Sequence, residues 1–200
     1  MASQKFDDIY KIVILGEQQV GKTTFLSQYI PPTNLDTKNH INDMEAQVET
    51  LPNGQTIDVQ VWDLSGDPSY RSISEVFTKH SLGAFVLFDL SNPNSLNSVS
   101  SWVHDLRTQS KSSQVFIIGN KKDLQSKTQV QYKQAGQALA RSLGAEYFEV
   151  NSLNKAEVNA IFKSMISKIS LTRPVEPSSQ PLFLSLALVF VLVIAYYVLG

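Results

Sequence analysis

The sequence predicts an α/β protein whose mostly parallel sheet is covered by helices on both faces, with one transmembrane helix appended near its C-terminal end. Three observations carry that prediction. Apolar, strand-like runs alternate with segments of helical periodicity from residue 9 to residue 169, the pattern of strands joined by crossover helices. One run, Gly83–Asp89 (GAFVLFD), is apolar almost throughout, as expected of a strand buried on both faces. Finally, Leu182–Leu199 carries no charge, and only Ser185, Tyr196 and Tyr197 interrupt its apolar or small residues.

The elements follow in order. Ile9–Leu15 reads as the first strand and Thr24–Ile30 as a helix behind a glycine-containing loop. Met44–Leu51 and Thr56–Trp62 alternate in polarity around Pro52-Asn53-Gly54-Gln55, a hairpin signal. Val115–Gly119 and Glu146–Val150 are further strands. Helical spacing is found in Ser69–Lys79, Ser95–Thr108, Val130–Leu143 and Glu157–Ile169, with Asn94 or Ser95 as a cap for the second and Gly144 ending the third. Residues 1–170 are therefore read as one domain. Leu171–Pro181 (LTRPVEPSSQP) holds three prolines and reads as a stiff tether.

Residues 182–199 would span roughly 27 Å as a helix, close to the thickness of a thin bilayer. Each Leu, Ile, Val or Phe favours insertion by roughly 0.3–0.6 kcal/mol. A core helix would keep a polar stripe, and this one has none. Lys163, Lys168 and Arg173 precede it and no charge follows, so the reading is a tail anchor with the domain in the cytosol. The thin span leans toward the endoplasmic reticulum or another endomembrane. The N-terminus lacks an apolar signal core, and Ala2 stands where myristoylation needs glycine.

Among 200 residues the net charge is −1 and there is no cysteine. The charge shows no basic stripe, so nucleic acid is not an expected partner. The missing cysteines exclude disulfides, thiolate metal sites and thiol-linked lipids.

The glycine loop, Gly16-Glu17-Gln18-Gln19-Val20-Gly21-Lys22-Thr23, fits the phosphate-loop template Gly-x-x-x-x-Gly-Lys-Thr between a strand and a helix. Glycines at both ends let the main-chain N–H groups turn toward phosphate oxygens at the positive end of the following helix. Gly16 through Thr24 are thus the candidate phosphate-contacting stretch. Lys22 would reach the β- and γ-phosphates, and the Thr23 hydroxyl would coordinate Mg²⁺. Asp63-Leu64-Ser65-Gly66 closes the third strand: Asp63 would hold Mg²⁺ through water, and the Gly66 N–H would meet the γ-phosphate. Asn120-Lys121-Lys122-Asp123 follows the fifth strand. The Asp123 carboxylate can accept from both guanine N1–H and the 2-amino group, which adenine cannot match; such sites discriminate by roughly 10⁴ or more. Lys121 would lie along the base, and Asn120 would tie the loops together. An ATPase or kinase of another family is disfavoured by Asp123.

On these residues the chain resembles a Ras-superfamily small GTPase of the Rab branch over roughly residues 8–170. Trp62-Asp63, Arg71, Ile73, Asp89-Leu90-Ser91-Asn92, Trp102, Gly119–Asp123 and Tyr147-Phe148-Glu149 carry the resemblance. It implies a three-layer phosphate-loop fold with a six-stranded sheet and five helices. It also implies GTP or GDP with Mg²⁺ as ligands, GTP hydrolysis, and effector, exchange-factor and GTPase-activating proteins as partners of a monomer. Two switch segments would fall near Pro31–Asn42 and Gly66–Lys79.

The departures from the family pattern are specific. Asp67 stands where the family has the glutamine that orients the attacking water, so hydrolysis is expected to be slow or partner-dependent; Lys22 and Asp67 are the candidate catalytic pair. His40, with Thr37 as a substitute, stands where a switch threonine would bind Mg²⁺, and a hard cation prefers oxygen. Gln18 and Gln19 replace small residues near the γ-phosphate. Asn151-Ser152-Leu153 aligns with the family's Ser-Ala-Lys base contact, where a Ser152 N–H would meet the guanine oxygen. The transmembrane stretch would replace a prenylated tail. Two readings stay open: a membrane-tethered switch in vesicle traffic that hydrolyses GTP slowly, and a non-cycling GTP-binding scaffold. Trp62, Tyr70 and Phe77 are either effector contacts or core.

Overall fold

The computed structural model describes residues 6–32, 42–124 and 129–173. Its centre is β1 (Asp8–Leu15), flanked in parallel by β3 (Thr56–Leu64) and β4 (Gly83–Asp89). β5 (Gln114–Asn120) and β6 (Glu146–Glu149) extend the parallel sheet, and β2 (Asn42–Thr50) closes the other edge antiparallel to β3. The sheet has six strands, as the resemblance implied, in the order β2-β3-β1-β4-β5-β6. Gly54, at φ 85°, turns the β2–β3 hairpin, whose Leu51 N–H donates to the Gln55 carbonyl at 2.9 Å.

Period-two alternation sends successive residues of the central strands to opposite faces. On one face Tyr10, Ile12, Ile14, Phe85, Leu87, Phe116 and Ile118 are buried against α1 (Lys22–Tyr29) and α6 (Lys155–Thr172). On the other, Val13, Leu15, Ala84, Val86, Phe88 and Ile117 meet α4 (Val99–Gln109), α5 (Gln129–Ser142), α3 (Pro93–Asn97) and α2 (Arg71–Thr78). The first core is aromatic. Phe162 stacks on Tyr29 with centroids 3.9 Å apart and meets Phe25 at 5.2 Å and Phe85 at 4.7 Å.

Several boundaries differ from expectation, each for a local reason. The helix expected over Ser69–Lys79 opens as a 3₁₀ turn, Pro68–Tyr70, because Pro68 has no N–H to give and the Asp67 carboxylate accepts from Ser69 N–H at 2.8 Å. The helix expected over Ser95–Thr108 is two, broken at Ser98, whose hydroxyl donates to the Ser95 carbonyl at 3.1 Å. Its cap is Asn92, ahead of Pro93, rather than Asn94 or Ser95. The Ser95 hydroxyl instead accepts from Asp89 N–H at 2.9 Å. The last helix starts at Lys155 behind the Asn154 side chain, which accepts from Ala156 and Glu157 N–H groups. It runs to Thr172, so Leu171 and Thr172 are helical rather than tether, and Arg173 docks on Asp8 at 2.7 Å.

Edge strand β2 turns Asp43, Glu45, Gln47 and Glu49 inward and leaves Met44 and Val48 exposed. Glu49 accepts a hydrogen bond from the Tyr29 hydroxyl at 2.8 Å. Among the described residues no helix is long and apolar enough to cross a membrane. Leu182–Leu199, most of the Pro31–Asn42 segment including Thr37 and His40, and the tether beyond Arg173 lie outside the described residues.

Replacing the fully buried Phe162 by alanine removes the ring shared by α1, β4 and α6, and should destabilise the domain by about 3–5 kcal/mol in urea unfolding. A loss below ~1 kcal/mol would contradict this account of the core.

Candidate nucleotide site

Sheet register delivers the site. Ile14 pairs with Asp63, Leu15 with Val86, and Asp89 with Asn120, so the carboxyl ends of β1, β3, β4 and β5 come together. In open parallel sheets this is the edge where ligands sit.

Between β1 and α1 the main chain makes a tight loop. Gly16 has φ 135° and Gly21 φ 96°, and Gln19 is a non-glycine at φ 62°. A Cβ on Gly16 would lie 2.3 Å from the Leu87 carbonyl oxygen, and one on Gly21 would lie 2.4 Å from Asn120 Nδ2. Both positions therefore require glycine for conformation and for space. Val20 is buried. Lys22 folds back along the loop, donating to the Gly16 carbonyl at 3.0 Å and the Glu17 carbonyl at 2.8 Å. Burial holds its ammonium below the usual pKa range, against the attraction of Asp63 and Glu17.

Beside it, the Thr23 hydroxyl donates to Asp63 Oδ2, while Asp63 Oδ1 is buried without a hydrogen-bond partner. Burial raises the Asp63 pKa. Thr23 and Lys22 oppose that rise, and Asp43, directly opposite on β2, adds to it. A hydroxyl and a carboxylate with an unsatisfied buried oxygen form an oxygen donor set that suits a hard divalent cation. The residues present thus fit Mg²⁺.

Gly66 rests directly on the loop: a Cβ there would fall 2.5 Å from the Glu17 carbonyl carbon and 2.6 Å from Gln18 N. The Asp67 carboxylate turns toward its own helix start. Its N-capping bond from the Ser69 N–H lowers the pKa, and the Gln18 side chain contributes in the same direction.

The base end is a cavity of about 250 Å³ lined by Gly21, Thr24, Asn120, Lys121, Asp123, Leu124, Asn151, Ser152 and Leu153. Asn120 ties its walls. Its amide donates to the Val20 carbonyl at 2.7 Å, and its oxygen accepts from Ser152 N–H at 3.1 Å and Ser152 Oγ at 2.7 Å. The Ser152 N–H expected to face a guanine oxygen is therefore donated to Asn120. Leu153, in place of the family's lysine, is 70% exposed.

Sequence reasoning missed the supports of this cavity. Lys122 pairs with Glu157 at 2.7 Å, and the other Glu157 oxygen accepts from Asn151 N–H at 3.2 Å, pinning the third loop to α6. The Asn154 and Glu157 spacing at the start of α6 was the available signal.

Comparison with known proteins agrees with the geometry: the Ras family model matches residues 11–171. The chain belongs to the Ras family of small GTPases. Its relatives include Ras-related protein Rab-3 of Caenorhabditis elegans, 30% identical over 184 residues, covering 89% of this chain and 84% of that one. GTP-binding protein Rab-3D of Rattus norvegicus is 30% identical over 184 residues, with 90% and 84% covered. Ras-related protein Rab-3A of Homo sapiens is 31% identical over 170 residues, with 84% and 77% covered. This small GTPase is accordingly Rab-like, with guanine nucleotide and Mg²⁺ as its ligands and GTP hydrolysis as its reaction.

Asn120→Ala would leave the Val20 carbonyl and the Ser152 donors buried without partners, at roughly 1–3 kcal/mol for each unsatisfied group. Expected are a lower melting temperature and faster release of GDP. A variant that keeps the wild-type melting temperature would refute the tie.

Proposed function

We propose that this Rab-like GTPase is a membrane-tethered switch in vesicle traffic that binds GTP and GDP tightly and hydrolyses GTP slowly on its own. The observation that carries the slow step is the Asp67 carboxylate, engaged in capping the Pro68–Tyr70 turn. A glutamine amide at this position can both donate and accept toward an attacking water; a carboxylate can only accept, and it carries charge repelled by the γ-phosphate. A residue supplied by an activating protein would then be needed, and such arginines contribute roughly 10³–10⁵ in rate.

In this reading Gly16 to Thr24 would cradle the phosphates, Lys22 would offset their charge, and Thr23 and Asp63 would hold Mg²⁺, which would supply further charge neutralisation. Gly66 N–H meets the γ-phosphate. Asp123 selects guanine, with the Lys121 stem on one side of the base and Asn151, Ser152 and Leu153 at its edge. Effector recognition uses the exposed apolar residues Ile73 and Val76 of α2 and Met44 of β2. Trp62 and Phe77 stand behind them, packed on each other with centroids 5.2 Å apart. Residues 182–199 anchor the protein in an endomembrane, with the domain through Arg173 facing the cytosol and residues 174–181 between them.

A non-cycling scaffold is the second reading, favoured by the same Asp67 geometry. Single-turnover hydrolysis decides between them. Asp67→Gln should raise the intrinsic rate by about an order of magnitude or more. An unchanged fast rate would remove the argument from Asp67, and no hydrolysis by either protein, even with an activating protein, would favour the scaffold.

Two further outcomes are expected. GTP should displace a fluorescent guanine nucleotide while ATP should not, by roughly 10⁴ in affinity, and Asp123→Ala should collapse that preference; equal competition in the wild type would discard the guanine assignment. Deletion of 182–200 should move the protein from carbonate-resistant membranes to the soluble fraction, and continued pelleting would rule out the anchor.

A further inference from the structure

At the end of β4, Asp89 holds a carboxylate that the chemistry of the site does not itself require. Its side chain is only 9% exposed. One oxygen accepts from Ser91 N–H at 2.8 Å and Ser91 Oγ at 2.6 Å; the other lies 2.8 Å from Lys121 Nζ. That same ammonium donates to the Gln19 carbonyl at 2.7 Å. Lys121 therefore spans from the base loop to the phosphate loop, with its head fixed between a buried carboxylate and a main-chain oxygen. Both ends of the bridge sit in left-handed backbone, Gln19 at φ 62° and Lys121 at φ 58°, a conformation that non-glycine residues keep only where their surroundings hold it.

We propose that Asp89 is a positioning residue for the guanine nucleotide, acting through Lys121. A lysine stem has four rotatable carbons and, with its head in water, would sample many rotamers. Pairing the head with Asp89 fixes the stem as one wall of the base cavity before a ligand arrives, so less ordering remains at binding. The ammonium in turn makes a buried aspartate tolerable, since an unpaired charge there would be strongly unfavourable. Burial alone would raise the Asp89 pKa, but hydrogen bonds from Lys121 and Ser91 outweigh it and keep the group ionised. Because the bridge fixes a wall of the base cavity, which serves GDP and GTP equally, it acts on both alike.

The inference rests on the guanine-nucleotide reading, and the experiment separates the two. In the full chain, release of a fluorescent GDP and a fluorescent GTP analogue is followed after an unlabelled chase, for wild type, Asp89→Asn, Lys121→Ala, the double variant and Ser91→Ala. Asparagine keeps an oxygen for the Ser91 N–H and removes the charge. Asp89→Asn should speed release of both nucleotides by the same factor, roughly tenfold or more, as expected for loss of a charge-assisted hydrogen bond. In the Lys121→Ala background the same substitution should not speed release further. Ser91→Ala, which removes the hydroxyl bond to one Asp89 oxygen and leaves the other on Lys121, should release at the wild-type rate.

Wild-type release by Asp89→Asn overturns the proposal. So does an Asp89→Asn effect that persists without Lys121, or one reproduced by Ser91→Ala, since either would mean a structural role. If Asp89→Asn does not fold, Asp89→Glu keeps the charge and moves it by one methylene; faster release is then expected, and a wild-type rate overturns. A wild-type chain that takes up no GDP removes the nucleotide reading and this inference together, whereas a chain that binds but ignores Asp89→Asn removes this inference alone.

Discussion

The site depends on one buried amide. Asn120 stands at the end of β5, and its side chain joins the phosphate loop through the Val20 carbonyl to the loop after β6 through Ser152. Three segments far apart in sequence are thereby held at hydrogen-bonding distance. Gly16, Gln19 and Gly21 all have positive φ, so the phosphate loop needs support: Lys22 supplies it from within and Asn120 from outside. The amide beside Gly21 requires the missing Cβ, and the missing Cβ lets the loop approach the amide. Each of these residues makes the other necessary.

A second constraint is electrostatic. Lys22 and Asp63 are both drawn out of water at the ends of β1 and β3, and each has its charged form disfavoured by burial. Their mutual attraction offsets part of that penalty, and the Thr23 hydroxyl and the loop carbonyls offset more. One oxygen of Asp63 stays unsatisfied. A phosphate beside the ammonium and a cation beside the carboxylate would satisfy both groups at once.

What the sequence reveals follows from how local each feature is. The eight residues from Gly16 to Thr23 are contiguous, so their spacing alone reports the loop, and the apolar run Gly83–Asp89 reports a strand covered on both faces. Asp63 and the Asn120 to Asp123 stretch are short patterns that gain meaning from their place at strand ends, and register brings them together as expected. The Asp89 to Lys121 pair was not legible, because 32 positions separate its members and only the β4–β5 register makes them neighbours. Alternation in β2 was legible, but not which face is covered: the polar residues turn toward α1 because Tyr29 offers Glu49 a hydroxyl. The break at Ser98 was hidden because helical spacing continues through it. Ser152 shows the same limit on a smaller scale, since counting residues places its N–H at the base edge while the Asn120 oxygen takes it.

Binding and hydrolysis are supported by different amounts of structure. In the proposed reading, binding rests on groups built into the packing, among them Asn120, Lys22 and the two loop glycines, so that a change in any one disturbs the fold around it. In the same reading, orientation of the attacking water would rest on a single side chain just after Gly66. Asp67 shows the consequence, for a carboxylate there finds a local use as the cap of a 3₁₀ turn, and the sheet, the cradle and the base cavity keep their geometry. On the proposed reading, this chain can delegate the hydrolytic step at little structural cost, while the groups that would hold the nucleotide belong to the packing that holds the domain together.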